Sequence, residues 1–457
     1  MTRLGVRRHF AAWGPDLRDM ARFAAPIVLI FVGMQSMGVV DTLMVGHLGG
    51  AAIASVALGN LYFFNVCIFG VGLLFAIDPI VAQALGANAH DDVARGVQRG
   101  LLMALVLSAV AMLVLMPGET LLRALGQPSE VISDTAAYAR RRAIGVLPFL
   151  AFGVLRQTLQ AFRVVGPVLY AVLIANLVNI FANWLLIFGH WGAPTLGVVG
   201  SGYATAISMW VMLLSLLVLG RRSLHTVLLP WRAEASHWAP LMRTLRLGVP
   251  VGTQMFFEIF AFGLTTLLMG RFGTASLAGH EIALNMASMT FMVPLGIAGA
   301  ASAVVGRAIG RGDMAAARRD AVAAVVCGTA FMSLSALVFL TAPRWLATSY
   351  THDVPTVAVA VALIPLAGLF QVFDGLQAVT GGVLRGAGDT RVPALLHLIA
   401  FWGVGIPLGV YLGFYTPLRE RGLWLGLVAG LAAAALLQSN RMVRRLRLPL
   451  TRVQVES

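Results

Sequence analysis

The chain has 457 residues, 59% of them apolar and only 11% charged, and its mean hydropathy is +0.85. A protein folding in water around one core does not need that much apolar surface, so its solvent is read as lipid. The net charge of +14 does not point to nucleic acid, because the arginines sit in breaks between apolar stretches and form no stripe interleaved with aromatics.

The basic start, Met1 to Arg22, resembles the leading region of a signal peptide. The stretch behind it carries Pro26, Gln35 and Asp41 and lacks a small-residue cleavage site, so it is expected to stay as helix 1. From Phe23 to Gln438 apolar stretches of roughly 20 residues, enough to cross ~30 Å of hydrocarbon, recur with short polar breaks, and they number about twelve. The alternation of an outer-membrane barrel is absent, so each is predicted to be a helix. Arg3, Arg7, Arg8, Arg95, Arg99, Arg163, Arg221, Arg222, Arg232, Arg307, Arg311, Arg318, Arg319, Arg385, Arg391 and the run from Arg441 to Arg447 fall at every second break and at both ends. Those sides, both termini included, are expected to be cytoplasmic. The alternate breaks, near Gly46, Pro117, Gly189, Gly273, Pro343 and Pro417, are poorer in Arg; Arg140, Arg141 and Arg142 break the rule, and the sequence offers no account of them. Cys67 and Cys327 lie inside apolar stretches with no second metal-ligand candidate beside them and read as buried free thiols.

The chain also repeats itself. Pro26 pairs with Pro250, Gly46 with Gly270, Gly49 with Gly273, Gly72 with Gly296, Gly86 with Gly310 and Arg95 with Arg319, each at a spacing of 224 (250 − 26, 319 − 95). Pro167 pairs with Pro393 at 226, which implies a small net insertion in the second half, after helix 9. The prediction is an all-α integral membrane fold of twelve transmembrane helices in two pseudo-symmetric six-helix lobes, residues 1–220 and 245–438. A linker over 221–244 and a basic tail over 439–457 complete it. Six is even, so both lobes enter the membrane from the same side as parallel repeats, with a cavity expected between them.

An ionised group at mid-bilayer costs at least ~2.5 to 3.5 kcal/mol, so acidic residues deep in apolar stretches are functional candidates. Asp41 stands near the outer end of helix 1, Glu258 in the middle of helix 7 and Asp374 in helix 10, where Gln371 and Gln377 lie three residues to either side. These three carboxylates are read as cation or proton sites, the two glutamines as polar cavity candidates. Asn176, Asn179 and Asn183 recur at three and four residues on one face of helix 5, either as interhelical glue or as part of a pocket with Asp41. Asp78 before Pro79 and Glu281 at the start of helix 8 read as structural. His47, His190, His280 and His397 are scattered over separate helices and read as packing or interfacial. Met255, Met286, Met289 and Met292 fit either adaptable substrate contact or ordinary packing.

Two segments of the first half, Val40-Asp41-Thr42-Leu43-Met44-Val45-Gly46-His47-Leu48-Gly49 and Asn179-Ile180-Phe181-Ala182-Asn183-Trp184, are followed by Gly192-Ala193-Pro194 and Gly197. The second half has Phe256-Phe257-Glu258, Asn285, Leu384-Arg385-Gly386-Ala387-Gly388-Asp389-Thr390 and Pro393. In these segments, and over nearly its whole length, the chain resembles the multidrug and toxic compound extrusion family, its NorM-like branch in particular. The resemblance implies two six-helix bundles forming a V, alternating access, and export of drugs or toxic organic cations in exchange for Na+ or H+ across a bacterial inner membrane. It implies a proton or substrate site at Asp41, Asn179 and Asn183, and a coupling-cation site at Glu258 and Asp374, which would be the ligands of a Na+. Phe370 stands where NorM-like members often carry a Tyr one turn before the Asp, so a hydroxyl ligand is missing; the expectation leans to Na+ with H+ open. No cofactor, nucleic acid or obligate protein partner is expected beside the small-molecule cargo and the bilayer.

Three other readings compete. A lipid-linked oligosaccharide flippase of the same architecture calls for Arg or Lys facing the cavity, whereas the charges within the stretches read as acidic. An intramembrane enzyme needs a nucleophile with its base, or a metal cluster, and neither is visible. A channel can use carboxylate rings, but a duplicated six-helix unit argues for rocking lobes instead.

Overall fold

The computed structural model describes residues 3–455, with side chains from residue 14 onward, so the side chains of Arg3, Arg7 and Arg8 lie outside the described residues. Twelve helical spans follow in order: α1 (Arg3–Val45), α2 (Gly50–Gly86), α3 (His90–Leu115), α4 (Ser129–Ala143 and Val146–Ala161), α5 (Gly166–Phe188) and α6 (Gly197–Leu219), then α7 (Trp238–Gly270), α8 (Thr274–Gly310), α9 (Met314–Thr341), α10 (Val354–Gly386), α11 (Arg391–Phe414) and α12 (Glu420–Arg447). Eleven are long and apolar enough to cross a membrane as they stand, and α4 makes the twelfth if its two pieces, bent by 49°, count as one span. No strand occurs among the described residues, as hydrocarbon demands of a chain that must satisfy its own backbone.

The repeat is written in the backbone as well as in residue types. Gly49 and Gly273, 224 apart, precede α2 and α8 with the same backbone, φ 109° and ψ 175° against φ 116° and ψ 173°. That region is closed to a side chain, which explains why both positions are glycine. At the far ends of those helices Asn88 and Gly312, again 224 apart, have positive φ. The next amides close matching bonds, Ala89 N to Ala84 O at 3.0 Å and Asp313 N to Ala308 O at 2.9 Å. The α4 and α10 ends repeat this closure with Val164 N to Leu159 O at 2.8 Å and Asp389 N to Leu384 O at 2.9 Å, a spacing of 225 (389 − 164). The insertion inferred from Pro167 and Pro393 is therefore two single residues, one before this closure and one just after it.

The chain divides into two compact units. One comprises Leu29–Gly252 with the last few residues; the other comprises the chain up to Val28 together with Thr253–Val453. The breaks fall within α1 and α7, three residues after Pro26 and Pro250, and are themselves 224 apart (253 − 29). Close contacts show why. A Cβ on Gly252 of α7 would come 2.7 Å from the Phe69 carbonyl of α2, and one on Gly296 of α8 would come 2.6 Å from the Val28 side chain of α1. Since 252 − 28 is 224, equivalent positions of α7 and α1 make these contacts, onto the equivalent stretches 69–73 of α2 and 293–297 of α8.

The unit spanning Leu29–Gly252 has its core at Phe63, Ile77, Phe152 and Leu155, the other at Phe339, Phe370, Phe401 and Trp424. Lipid tails are as apolar as these side chains, so helices cohere by close packing. A tight seam joins α11 to α12, where Gly405 and Gly409 face Gly426 and Gly430, and a Cβ on Gly426 would come 2.3 Å from Gly409 Cα. Within α11 the segment Ile399–Gly405 is π-helical. Several arginines of the Arg-rich breaks are tied down: Arg232 to Asp91 at 2.7 Å, Arg441 to Asp389 at 2.7 Å, and Arg318 to the Leu446 carbonyl at 2.7 Å.

Candidate functional site

Asp41 is fully buried on α1. One carboxylate oxygen accepts from Asn179 Nδ2 at 3.1 Å and from Asn183 Nδ2 at 2.7 Å, both on α5, and the other accepts from Thr205 Oγ1 of α6 at 2.6 Å. The α5 amides reach one carboxylate because a spacing of four sets them on one face, and α6 packs alongside α5. An anion held by three neutral donors and no contacting cation is a place where a proton or a small cation can supply the missing charge. The structure thus brings together Asp41, Asn179 and Asn183, and adds Thr205. Sequence reasoning missed that residue, although Ser201, Thr205 and Ser208 form a buried polar stripe at spacings of four and three.

Asn176 departs from the expectation of three amides on one pocket. Its Nδ2 donates to Gly33 O at 2.8 Å and to Val172 O at 2.9 Å, so it ties α5 to the α1 backbone and leaves Asp41 to its two neighbours. This is the glue alternative, made at Gly33 of α1.

The second group lies in the other unit. Glu258 of α7 and the buried Asp374 of α10 are two carboxyl groups of one unit, on helices that meet where the Phe262 and Phe370 rings stand 5.9 Å apart. The Glu258 side chain retains 18% of its exposure. Beside it stands a residue that the sequence reading took for packing: His397 of α11, 1% exposed, has Nε2 3.4 Å from Glu258 Oε2. That approach is within ion-pair distance, but the angle does not make it a hydrogen bond. The ring is held by Gln377, whose amide lies 3.0 Å from Nδ1, and by stacking on Phe401 at 4.5 Å. Gln371 does not join this group; its Oε1 accepts from Ser335 of α9 at 2.6 Å. The two glutamines flanking Asp374 therefore diverge, one to α9 and one to α11. Phe370 is buried in an edge-on aromatic cluster with Phe262 and Trp424, so the missing hydroxyl is replaced by packing.

The other histidines and the methionines resolve differently. His280 lies 3.0 Å from Thr266 Oγ1 and accepts from Trp424 Nε1 at 3.2 Å, a buried structural link. Met286 is buried in its unit's core and Met289 is half exposed. Among the described residues no three His, Cys, Asp or Glu groups gather as a metal site. The expectation that interior charge is only acidic needs correcting, because Arg142 and Arg156 of α4 are 6% and 5% exposed. Both rest against aromatic faces, Phe63 at 4.2 Å and Phe31 at 4.9 Å, which the sequence could not reveal because both partners are distant in the chain.

Comparison with known proteins adds the following. The MatE family model matches residues 26–185 and 250–411, one copy in each half. A probable multidrug resistance protein NorM of Mesorhizobium japonicum is 38% identical over 451 residues, covering 96% of both chains. A protein of the same description from Burkholderia mallei is 38% identical over 97% of both, and the multidrug resistance protein MdtK of Edwardsiella ictaluri is 32% identical over 93% of this chain and 95% of its own. In fold the chain is similar to the eukaryotic MATE transporter AtDTX14, with a TM-score of 0.87 at 22% identity over 95% of this chain and 98% of that one. It is also similar to a multidrug resistance MATE family transporter in an outward-facing conformation, with a TM-score of 0.85 at 19% identity over 95% and 97%.

Proposed function

The chain belongs to the MatE family, the multidrug and toxic compound extrusion transporters, and from that premise we propose that it is a secondary antiporter exporting cationic or amphiphilic small molecules in exchange for Na+ or H+. It is a transporter and not an enzyme. The observation that carries the reading is the buried Asp41 carboxylate, served by Asn179, Asn183 and Thr205 and by no contacting cation. Such a group holds either a proton or a cationic cargo, and exclusive occupancy is what an exchanger needs. The like charges of Glu258 and Asp374 form the coupling-ion site, since one arriving cation relieves their mutual repulsion. The two sites alternate in access between the two sides of a cell's inner membrane, with both termini on the cytoplasmic side.

The experiment is counterflow in proteoliposomes. Substrate leaving against an imposed inward Na+ or H+ gradient supports the antiporter. Conductance without coupling identifies a channel instead, and scrambling of a labelled lipid a flippase.

A further inference from the structure

Arg142 lies within the spanning part of the fold, in the same unit as Asp41, and neither site described above uses it. Its neighbours in the triplet have surface roles: Arg140 pairs with Glu119 at 3.1 Å, and Arg141 lies over the Tyr203 ring at 5.3 Å. Arg142 instead points inward, 6% exposed, with its guanidinium 4.2 Å above the Phe63 ring. Among the described residues no carboxylate is in contact with it. Nη1 donates to the Tyr138 hydroxyl at 3.1 Å, that hydroxyl donates to Asn60 Oδ1 at 2.9 Å, and Nε is buried with no hydrogen-bond partner. A guanidinium that has left water for a phenol and a π-face is under-compensated unless an anion acts on it from further off.

The anion of the adjoining site is Asp41: α4 reaches α6 here, a Cβ on Gly202 coming 2.8 Å from the Tyr138 carbonyl, about one turn before the Thr205 that donates to Asp41. Tyr138, fully buried, accepts from Arg142, and Thr205, three residues after Gly202, donates to Asp41. The groups facing this pair can be named helix by helix. On α5 they are the neutral Asn179 and Asn183, on α6 Thr205, on α2 Asn60 and the buried thiol of Cys67, and on α4 Tyr138 and Arg142 itself. We propose that Arg142 is a resident counter-cation of the Asp41 site, holding the carboxylate ionised and ready for a cationic cargo through the Arg142–Tyr138–Thr205–Asp41 succession, without occupying the place the cargo takes. A salt bridge would block Asp41; a cation held one residue away lends it charge balance and leaves it open.

This inference rests on the reading of Asp41 as an exchangeable site, and the test separates the two. Binding of the lipophilic monocation tetraphenylphosphonium to the purified full-length protein is measured across a pH series. The wild type shows a step, binding rising as Asp41 gives up its proton. In Arg142→Gln the midpoint of that step moves to higher pH by about one unit, a roughly tenfold change in proton affinity, the size of one unit charge acting through a partly polar interior. Arg142→Met, which strands no polar atom against Phe63, does the same and stands in if the Gln variant fails to accumulate. Arg142→Lys keeps the charge and the wild-type midpoint, and Asp41→Asn loses the step with or without Arg142→Gln. A step lost in Asp41→Asn yet unmoved in folded Arg142→Gln and Arg142→Met overturns the inference alone, as does a Lys variant that shifts as far as Gln. A step that survives Asp41→Asn overturns the site reading and the inference together.

Discussion

At the scale of single residues, the sites turn on three carboxylates and on the neutral groups that hold them. Asp41→Asn keeps the volume and removes the charge, so it is expected to abolish drug resistance in expressing cells while surface expression stays normal. Thr205→Val, which removes one of three donors to Asp41, is expected to weaken transport about tenfold or more, as the ~1.5 to 3 kcal/mol of a hydrogen bond to a charged group implies. Glu258→Gln and Asp374→Asn should each uncouple export from the ion gradient, read as counterflow that no longer responds to it; gradient-driven export at the parental rate in both variants would remove this pair from the mechanism. The three carboxylates were legible in the sequence because ionised groups in apolar stretches stand out. Their partners were not all so visible. Asn179 and Asn183 could be found from helical spacing, but His397 came from another helix and Thr205 from a stripe of ordinary small polar residues. Arg142 was noticed only as an exception to the charge rule. Its aromatic and phenolic partners lie up to 79 residues away (142 − 63), a separation no local pattern spans.

At the scale of elements, glycine decides how near helices approach. Gly426→Ala puts a methyl where the Gly409 backbone already is, and is expected to destabilise the α11–α12 seam by about 1 to 3 kcal/mol, seen as a lower unfolding temperature in detergent. Gly263→Ala on α7, which has open space around it, is the matched control and should leave that temperature unchanged. The entry to α10 offers a prediction in pH. Asp353 caps that helix by accepting from the Thr356 amide at 3.1 Å, and the side-chain and backbone bonds with Thr356 hold its carboxyl below the usual range. A lowered carboxyl stabilises fully above its unfolded value and loses the effect as pH falls through the folded one. The stability difference between wild type and Asp353→Ala should therefore shrink toward zero on acidification and be constant near neutrality. Element boundaries followed from apolar length and from glycine and proline positions. The bend within α4 and the π segment of α11 did not, because both are set by packing against other helices.

At the scale of the whole molecule, the proposed antiport turns on which gradient drives export. An imposed inward Na+ gradient at fixed pH is expected to expel substrate from energised vesicles, with protons competing for the same carboxylates. A pH gradient that drives full export, with rate and extent unmoved by added Na+, would make the protein a proton antiporter. The burial of Phe370 in an aromatic cluster and the approach of His397 to Glu258 both bear on that outcome, since each takes a place that a hard oxygen ligand would need. The twofold repeat was the feature most legible in the sequence, because glycines at positive φ and prolines within helices are constrained singly and so recur visibly in pairs.

The position of the unit breaks bears on the order of synthesis. The unit beginning at Leu29 is closed only when Gly248 and Gly252 of α7 settle against the Leu73 and Phe69 carbonyls of α2. Six helices are made before that stretch exists, so for most of translation the α2 backbone lacks the neighbour it is shaped for. A nascent chain released after residue 228 should be trimmed quickly by membrane proteases, whereas one carried on to residue 252 should persist. The interval between the two is about two dozen residues, roughly 1 to 5 seconds of elongation at the rate of ~5 to 20 residues per second. During that window the half-built transporter depends on lipid, or on the insertion machinery, to cover the α2 groove that its own seventh helix later fills.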